Sequence, residues 1–264
     1  MTLITSRQNP KVKLIRSLGS RKGRTSQELF LVEGIRHVGE AVDCGAELEF
    51  VLYAPDLLSS EFAYQLISQL ELVNVPVFGT TPEAFSDLAG KENPQGIMAV
   101  VHQNLKPLNQ FNPSNLAIGV ALESPQDPGN LGTILRTVDG AGVDALILID
   151  GGTDIFHPTA VRASMGAFFW KPVVKTSLVE FRSWAGIHGF QLIGSSANGS
   201  LDYRSIKTSG PFILLLGSEQ KGLSAQALEL CDQVVRLPMR GKTTSLNLSV
   251  AAGILIYELV RGQE

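Results

Sequence analysis

Residues 234–260 read "VVRLPMRGKTTSLNLSVAAGILIYELV". A short β-branched run, a polar loop and a long apolar run follow one another, and the reading of that loop decides the fold. Gly241-Lys242-Thr243 looks like the end of a phosphate-cradling loop of the pattern G-x-x-x-x-G-K-[ST]. That pattern needs its first glycine where this chain has Arg236. An arginine there does not allow the tight backbone curl that turns successive N–H groups toward a phosphate. Pro238 removes another N–H from the same stretch. The segment is therefore strand, loop and helix without a triphosphate cradle, and the loop needs another purpose. The apolar run contains Asn247, Ser249 and Glu258, which reads as a buried helix and not a membrane span.

Outward from this stretch, apolar strands, polar loops and helices alternate from Leu116 onward. The expected strands are "LAIGVAL", "ALILID", "FQLIGSS", "FILLLG" and "VVRLP". Several are apolar nearly throughout, the pattern of a parallel sheet covered on both faces. Two more polar loops follow strands. Ser124–Gly132 leads into a helix on which Leu131, Ile134, Leu135 and Val138 recur at the spacing of one face. Arg136 falls off that stripe, near the helix start, and an arginine so placed can hold a phosphate or simply face solvent. Asn130 is a candidate helix cap. Gly217–Ser224 holds Glu219 between two glycines, and ligands of open parallel sheets sit beyond such strand ends. Thr244 or Ser245 is the expected cap of the last helix. Asn247 then lies in its first turn, with an amide available for a contact elsewhere. No G-x-G-x-x-G follows the first strand of either half, and no paired Ser/His or Cys/His signature stands out.

The first half is a smaller α/β layer structure. Asn9-Pro10 reads as a cap followed by proline at the first helical position. "SRKGRTS" reads as a basic loop. Strands "LFLVE", "EFVLYA", "VPVFG" and "GIMAVV" alternate with helices at Gly34–Cys44, Ser60–Leu70 and Pro82–Leu88. The Asn- and Pro-rich stretch from His102 to Asn115 reads as a linker. Two domains are expected, 1–101 and 116–264, joined by 102–115.

Composition agrees with this. In 264 residues, 44% hydrophobic and 18% charged content predicts packed cores and not disorder. Cys44 and Cys231 are far apart, and His37, His102, His157 and His188 are scattered, so no zinc site and a reduced, cytoplasmic setting are expected. The Arg- and Ser-rich start also admits a transit peptide. Net charge is −3, yet Arg7, Lys11, Lys13, Arg16, Arg21, Lys22 and Arg24 stand in residues 1–27 with no acid among them. Clustered positive charge on an otherwise acidic chain predicts a phosphate-binding surface, with a solvated basic tail as the alternative.

Taken together, "ESPQDPGNLGTILRTVDGAGVDALIL", "LLLGSEQKGLS" and "LPMRGKTTSLNLSVAAGILIYE" resemble the three ordered motifs of the SpoU (TrmH-like) RNA 2′-O-ribose methyltransferases, of the SPOUT class. "HPTAVRASMGAFFWKPV" and "NPQGIMAVV" resemble further stretches of that family, and the first half resembles its L30e/L7Ae-like substrate-binding domain. The resemblance spans essentially the whole chain. It implies an N-terminal L30e-like α/β/α sandwich and a C-terminal α/β domain with a parallel sheet and a deep trefoil knot, an exception to the unknotted rule. The Gly241 loop becomes part of the knot.

The same resemblance implies S-adenosylmethionine held through Gly194, Ser195, Gly217, Leu237, Met239 and Leu246, largely by main chain. It carries over Asn130, Arg136, Glu219, Ser245 and Asn247 as catalytic candidates, and Arg162 with Ser164 near the RNA. No metal and no membrane are implied. A homodimer is, with the arginine reaching the site from the second copy and the last helix in the interface or the knot. Arg7, Lys11, Lys13, Arg21, Lys22, Arg24 and Arg162 are the expected RNA contacts. A 23S rRNA nucleotide is the expected target; a tRNA enzyme and a non-catalytic RNA-binding or ribosome-assembly protein are the alternatives.

Overall fold

In the computed structural model, residues 3–90 and 93–261 are described. They form two compact units, Met1–Asn104 with Phe156–Phe169, and Leu105–Ile155 with Trp170–Glu264. The segment 156–169, expected in the second domain, thus groups with the first unit. Its Phe156 and Phe168 pack on Phe30, with ring centroids 5.0 and 5.3 Å away. Packing of three aromatic rings, two of them buried, outweighs order along the chain.

The first unit holds strands β1 (Leu3–Ile4), β2 (Leu29–Glu33), β3 (Leu48–Tyr53), β4 (Val77–Thr80) and β5 (Ile97–His102). They lie in the order β1-β4-β3-β5-β2, with β5 antiparallel to both neighbours. Helices α1 (Pro10–Ser17), α2 (Arg21–Gln27), α3 (Ile35–Asp43), α4 (Glu61–Leu72) and α5 (Pro82–Ser86) connect them. Asn9 caps α1 as expected, its side chain accepting from Lys11 N–H at 2.9 Å. α2 corrects the expected "SRKGRTS" loop. It has no apolar stripe to announce it; Ser20 caps it, accepting from Gly23 N–H at 3.1 Å. Arg24 is its buried residue, 1% exposed, and its Nη1 donates to the Leu18 carbonyl at 2.8 Å.

The second unit is built on one fully parallel sheet. Its strands are β6 (Lys106–Pro107), β7 (Ile118–Glu123), β8 (Ala145–Ile149), β9 (Val173–Thr176), β10 (Gln191–Ser195), β11 (Leu201–Asp202), β12 (Phe212–Leu216) and β13 (Gln233–Arg236). Their order is β11-β13-β10-β12-β7-β8-β9-β6. β6 lies inside the stretch expected to be a linker, and it pairs with β9, a strand not anticipated. Helices α6 (Pro128–Gly140), α7 (Pro158–Ala163), α8 (Ala167–Trp170), α9 (Leu178–Ile187), α10 (Ala225–Glu229) and α11 (Leu248–Arg261) complete the chain, α7 and all of α8 but Trp170 falling within the first unit. Ala121, Ile147, Ile213 and Leu215 face a core shared with Leu178, Phe181 and Ala185 of α9. The intervening Val120, Leu122, Leu146, Leu148, Leu214 and Leu216 are also buried, so both sheet faces are covered.

Strand order positions the site. The chain steps outward from β7 to β8 and β9, then crosses to the other side, where β12 lies directly beside β7. The carboxyl ends of β7 and β12 therefore meet where the winding reverses, the usual place for a ligand in such a sheet.

Candidate active site

Three loops converge at that reversal. After β7, Asp127 caps α6, its Oδ1 accepting from Asn130 N–H at 2.7 Å, with Pro128 at the first helical position. Asn130 is therefore not the cap, and its side chain is available. After β12, Glu219 reaches across to the first loop. Its Oε2 accepts from Gln126 N–H at 2.8 Å, and its Oε1 from Asp127 N–H at 3.2 Å and from Asn130 Nδ2 at 3.0 Å. Burial pushes the Glu219 carboxyl up. The Asn130 amide and the N–H groups of Gln126, Glu219 and Asp127 outweigh it and hold the group below the ordinary carboxylate range.

The third loop joins through Asn247, whose Nδ2 donates to Asn130 Oδ1 at 2.9 Å. Asn247 is itself the cap of α11, correcting the expectation of Thr244 or Ser245. Its Oδ1 accepts from Ser249 N–H at 2.9 Å, Ser249 Oγ at 2.6 Å and Val250 N–H at 3.4 Å. The bonds run one way, from the α11 N-terminus through Asn247 and Asn130 to the Glu219 carboxylate. Each amide therefore has a single orientation compatible with its neighbours. Ser245 is exposed and stands outside this network.

Arg136 is exposed, with no ion pair or hydrogen bond among the described residues. It is six residues past Asn130 on α6, roughly 9 Å along the axis and about 240° around it. It lies in the body of the helix, not near its start, and one copy of the chain does not bring it to the Asn130–Glu219 pair.

The residues expected to hold a cofactor fall on three adjacent strand ends, in the order β13-β10-β12. Gly194 and Ser195 finish β10, Gly217 follows β12, and Leu237 follows β13. A methyl group added at Gly194 would stand 2.6 Å from Cys231 Sγ, and one at Gly217 would overlap the main chain of Gly222 and Leu223. Gly217 lets backbone approach backbone, and Gly194 lets the Cys231 and Leu223 side chains pack directly on the β10 main chain. Burial, then the charges of Asp232 and Glu123, push the Cys231 thiol up to about 11, so it sits as an inert packing group. Residues 237–246, including Met239 and Leu246, make no main-chain hydrogen bond among the described residues. Main-chain donors and acceptors thus remain uncommitted beside those strand ends. Among the described residues, no three His, Cys, Asp or Glu side chains stand together as a metal site, and no helix is long and apolar enough to cross a membrane.

In the first unit the expected basic contacts divide. Lys13, Arg21 and Lys22 are exposed, as is Arg16 of the same charge run. Arg7 pairs with Asp87. Lys11 Nζ lies over the Phe78 and Phe50 rings, 4.5 and 5.1 Å from their centroids. Arg24, expected at an RNA surface, is excluded by its burial and its bond to Leu18. Arg162 is half-buried on α7 with Nη2 3.5 Å from Thr159 Oγ1, and Ser164 is buried, its hydroxyl donating to the Val161 carbonyl at 2.7 Å.

Comparison with known proteins bears directly on this geometry. Residues 117–257 match the SpoU rRNA Methylase family, and residues 9–99 match the MRM3-like substrate binding domain. The chain belongs to the SpoU rRNA methylase family. It is 34% identical to the 23S rRNA (guanosine(2553)-2′-O)-methyltransferase RlmP of Bacillus subtilis (strain 168), over 98% of this chain and 99% of that protein. An AdoMet-bound rRNA methyltransferase from Sinorhizobium meliloti superposes with a TM-score of 0.90 at 34% identity, covering 100% of this chain and 98% of the other. The SpoU methyltransferase AviRb from Streptomyces viridochromogenes, in complex with AdoMet, gives 0.88 at 30% identity, covering 97% and 98%. This SpoU-family chain therefore presents its three sequence motifs as three loops joined by one directional hydrogen-bond network.

Proposed function

We propose that the chain transfers a methyl group from S-adenosylmethionine to a ribose 2′-hydroxyl of RNA, with a nucleotide of 23S rRNA as target. The observation that carries this reading is the Glu219–Asn130–Asn247 network, which ties the three loops at the sheet's reversal point. RlmP's named activity, over almost the full length of both chains, supports the choice of 23S rRNA. The AdoMet carried by the neighbours supports the cofactor.

The uncommitted main chain of 237–246, with Gly194, Ser195 and Gly217 beside it, fits a ligand held chiefly by backbone groups. When bound, S-adenosylmethionine supplies an electrophilic methyl on a sulfonium and is left as a neutral thioether. The protein's own part is alignment and charge. Asn130, Glu219 and Asn247 fix the loops that define the site, which is where orientation accelerates a displacement. Arg136 cannot serve as a base, because a guanidinium stays protonated in proteins. It grips the phosphate beside the target ribose and stabilises the developing 2′-oxyanion, while the hydroxyl proton leaves to solvent.

The separation of Arg136 from Asn130 within one copy supports a homodimer in which each copy lends its arginine to the other. Val250, Ile254 and Tyr257 form an exposed apolar stripe on α11, 51%, 38% and 56% exposed, and supply a face for it. A trefoil knot accommodates residues 237–247, which return from β13 to place Asn247 beside Asn130. Lys13, Arg21 and Lys22, with Arg162, supply phosphate contacts for structured RNA, and the cytoplasm is the compartment where that RNA is met.

The test is labelled-methyl transfer to total RNA, followed by mapping of the modified ribose. Arg136→Ala is expected to abolish transfer while AdoMet still binds. Near-normal turnover in that variant removes Arg136 from the mechanism. A wild-type chain that binds RNA but no AdoMet is a non-catalytic RNA-binding protein, and a methyl mapped to tRNA overturns the target.

A further inference from the structure

Glu123 is the last residue of β7 and is 8% exposed. Its Oε2 accepts from Ser224 N–H at 2.8 Å, on the far side of the loop that follows β12. No catalytic or cofactor role above uses it. Glu219 makes the mirror-image connection, since it leaves the β12 loop to accept from Gln126 and Asp127 in the loop after β7. Each loop thus carries one carboxylate that binds the other loop's main chain. The stretch between the two anchors is short and closed on itself: Gly222 N–H donates to the Ser218 carbonyl at 2.9 Å and Ser218 N–H to the Gly222 carbonyl at 3.2 Å. With one anchor on Glu219 and the other at Ser224, this closed turn is tied to the β7 side at both ends. Leu223, between the turn and Ser224, lies 3.2 Å from the point a methyl on Gly194 would occupy. Displacement of Ser224 therefore reaches β10, one of the strand ends assigned to the cofactor.

We infer that Glu123 is a positioning residue for cofactor binding, the buried half of a reciprocal carboxylate latch between the β7 and β12 loops. It acts through the Ser224 main chain and not by touching substrate. Burial of an acid for a single N–H bond is costly unless the bond holds something that matters, and removal of the acceptor leaves Ser224 N–H without a partner. The geometry requires an acceptor at this position and does not require charge.

The inference rests on S-adenosylmethionine as ligand, and calorimetric titration of the full-length wild-type chain with S-adenosylmethionine tests that first; no binding there refutes the function, not the latch. Glu123→Ala is expected to weaken binding about tenfold or more. Glu123→Gln keeps an oxygen for Ser224 N–H and is expected to stay within about threefold of wild type. Phe181→Leu, on the buried face of α9, serves as a variant with a comparable fall in Tm and an unchanged Kd. The latch is overturned if Glu123→Ala binds as wild type does, if Glu123→Gln is as weak as Glu123→Ala, or if Phe181→Leu weakens binding equally.

Discussion

Replacement of Glu219 by glutamine is the sharpest probe of the site, because it changes one atom in a network whose every bond has a direction. The carboxylate takes three donors, two on Oε1 and one on Oε2. Glutamine has one acceptor oxygen. With that oxygen in the Oε1 position, the new NH₂ faces Gln126 N–H, donor against donor. Turned over, it loses Asp127 N–H and the Asn130 amide instead. The first orientation keeps Asn130 bonded but sets two donors face to face; the second frees Asn130 to rotate, and Asn247 Nδ2 loses its fixed acceptor. A hydrogen bond to a charged group contributes about 1.5–3 kcal/mol when buried. Glu219 is largely exposed, so water replaces part of the loss and the discounted cost is about 1–2 kcal/mol, a factor of about 5–30. Methyl transfer at saturating RNA should lose that factor in kcat/KM for S-adenosylmethionine. In a double-mutant cycle, Glu219→Gln and Asn247→Ala should together cost less than the sum of the two alone. A Glu219→Gln enzyme within about twofold of wild type, or strictly additive losses, would refute the network's role.

Four further outcomes follow from the same structure. The Glu219 carboxyl is held below its ordinary range, so its contribution to stability is complete above the unfolded value of about 4.3 and is lost as pH falls through the folded one. The Tm gap between wild type and Glu219→Gln should therefore be widest near neutrality and close as acidification protonates the folded carboxylate; a gap that widens on acidification contradicts the assignment. Gly194→Ala sets a methyl 2.6 Å from Cys231 Sγ and should destabilise by about 1–3 kcal/mol, with loss of cofactor affinity, read by thermal unfolding and calorimetry. Exchange of Lys13, Arg16, Arg21 and Lys22 for glutamine should weaken RNA binding and flatten its salt dependence by about 0.7–0.9 in log–log slope per lost phosphate contact. Arg24→Gln should instead lower Tm, because Arg24 is buried and holds Leu18.

Local pattern was enough for much of this protein. Strands β7, β8, β10, β12 and β13 of the second unit, the Leu131–Val138 stripe and the Asn9 cap were legible, because each depends on what neighbouring residues bury or bond within a few positions. The motif loops were legible too, as polar breaks after apolar strands. The signal for Asp127 as cap was also present, in the Asp-Pro pair at the helix start, and it would have released Asn130 from that duty.

What the sequence by itself determined is therefore which segments are strands, which loops carry chemistry, and which side chains belong to the family's motifs. Tertiary structure decided the rest. The short strands β1, β6 and β11 and the helix α2 lack periodicity, and they exist through partners far along the chain or through caps. Arg24 belongs to a run of like charges, yet folding buries it against Leu18. Segment 156–169 joins the first unit through phenylalanine packing. Above all, the bonds from Glu219 to Asn130 and on to Asn247 depend on β12 entering the sheet beside β7. Strand order is a long-range choice made by the burial of whole sheet faces, and no local spacing encodes which polar groups it will bring within hydrogen-bonding distance.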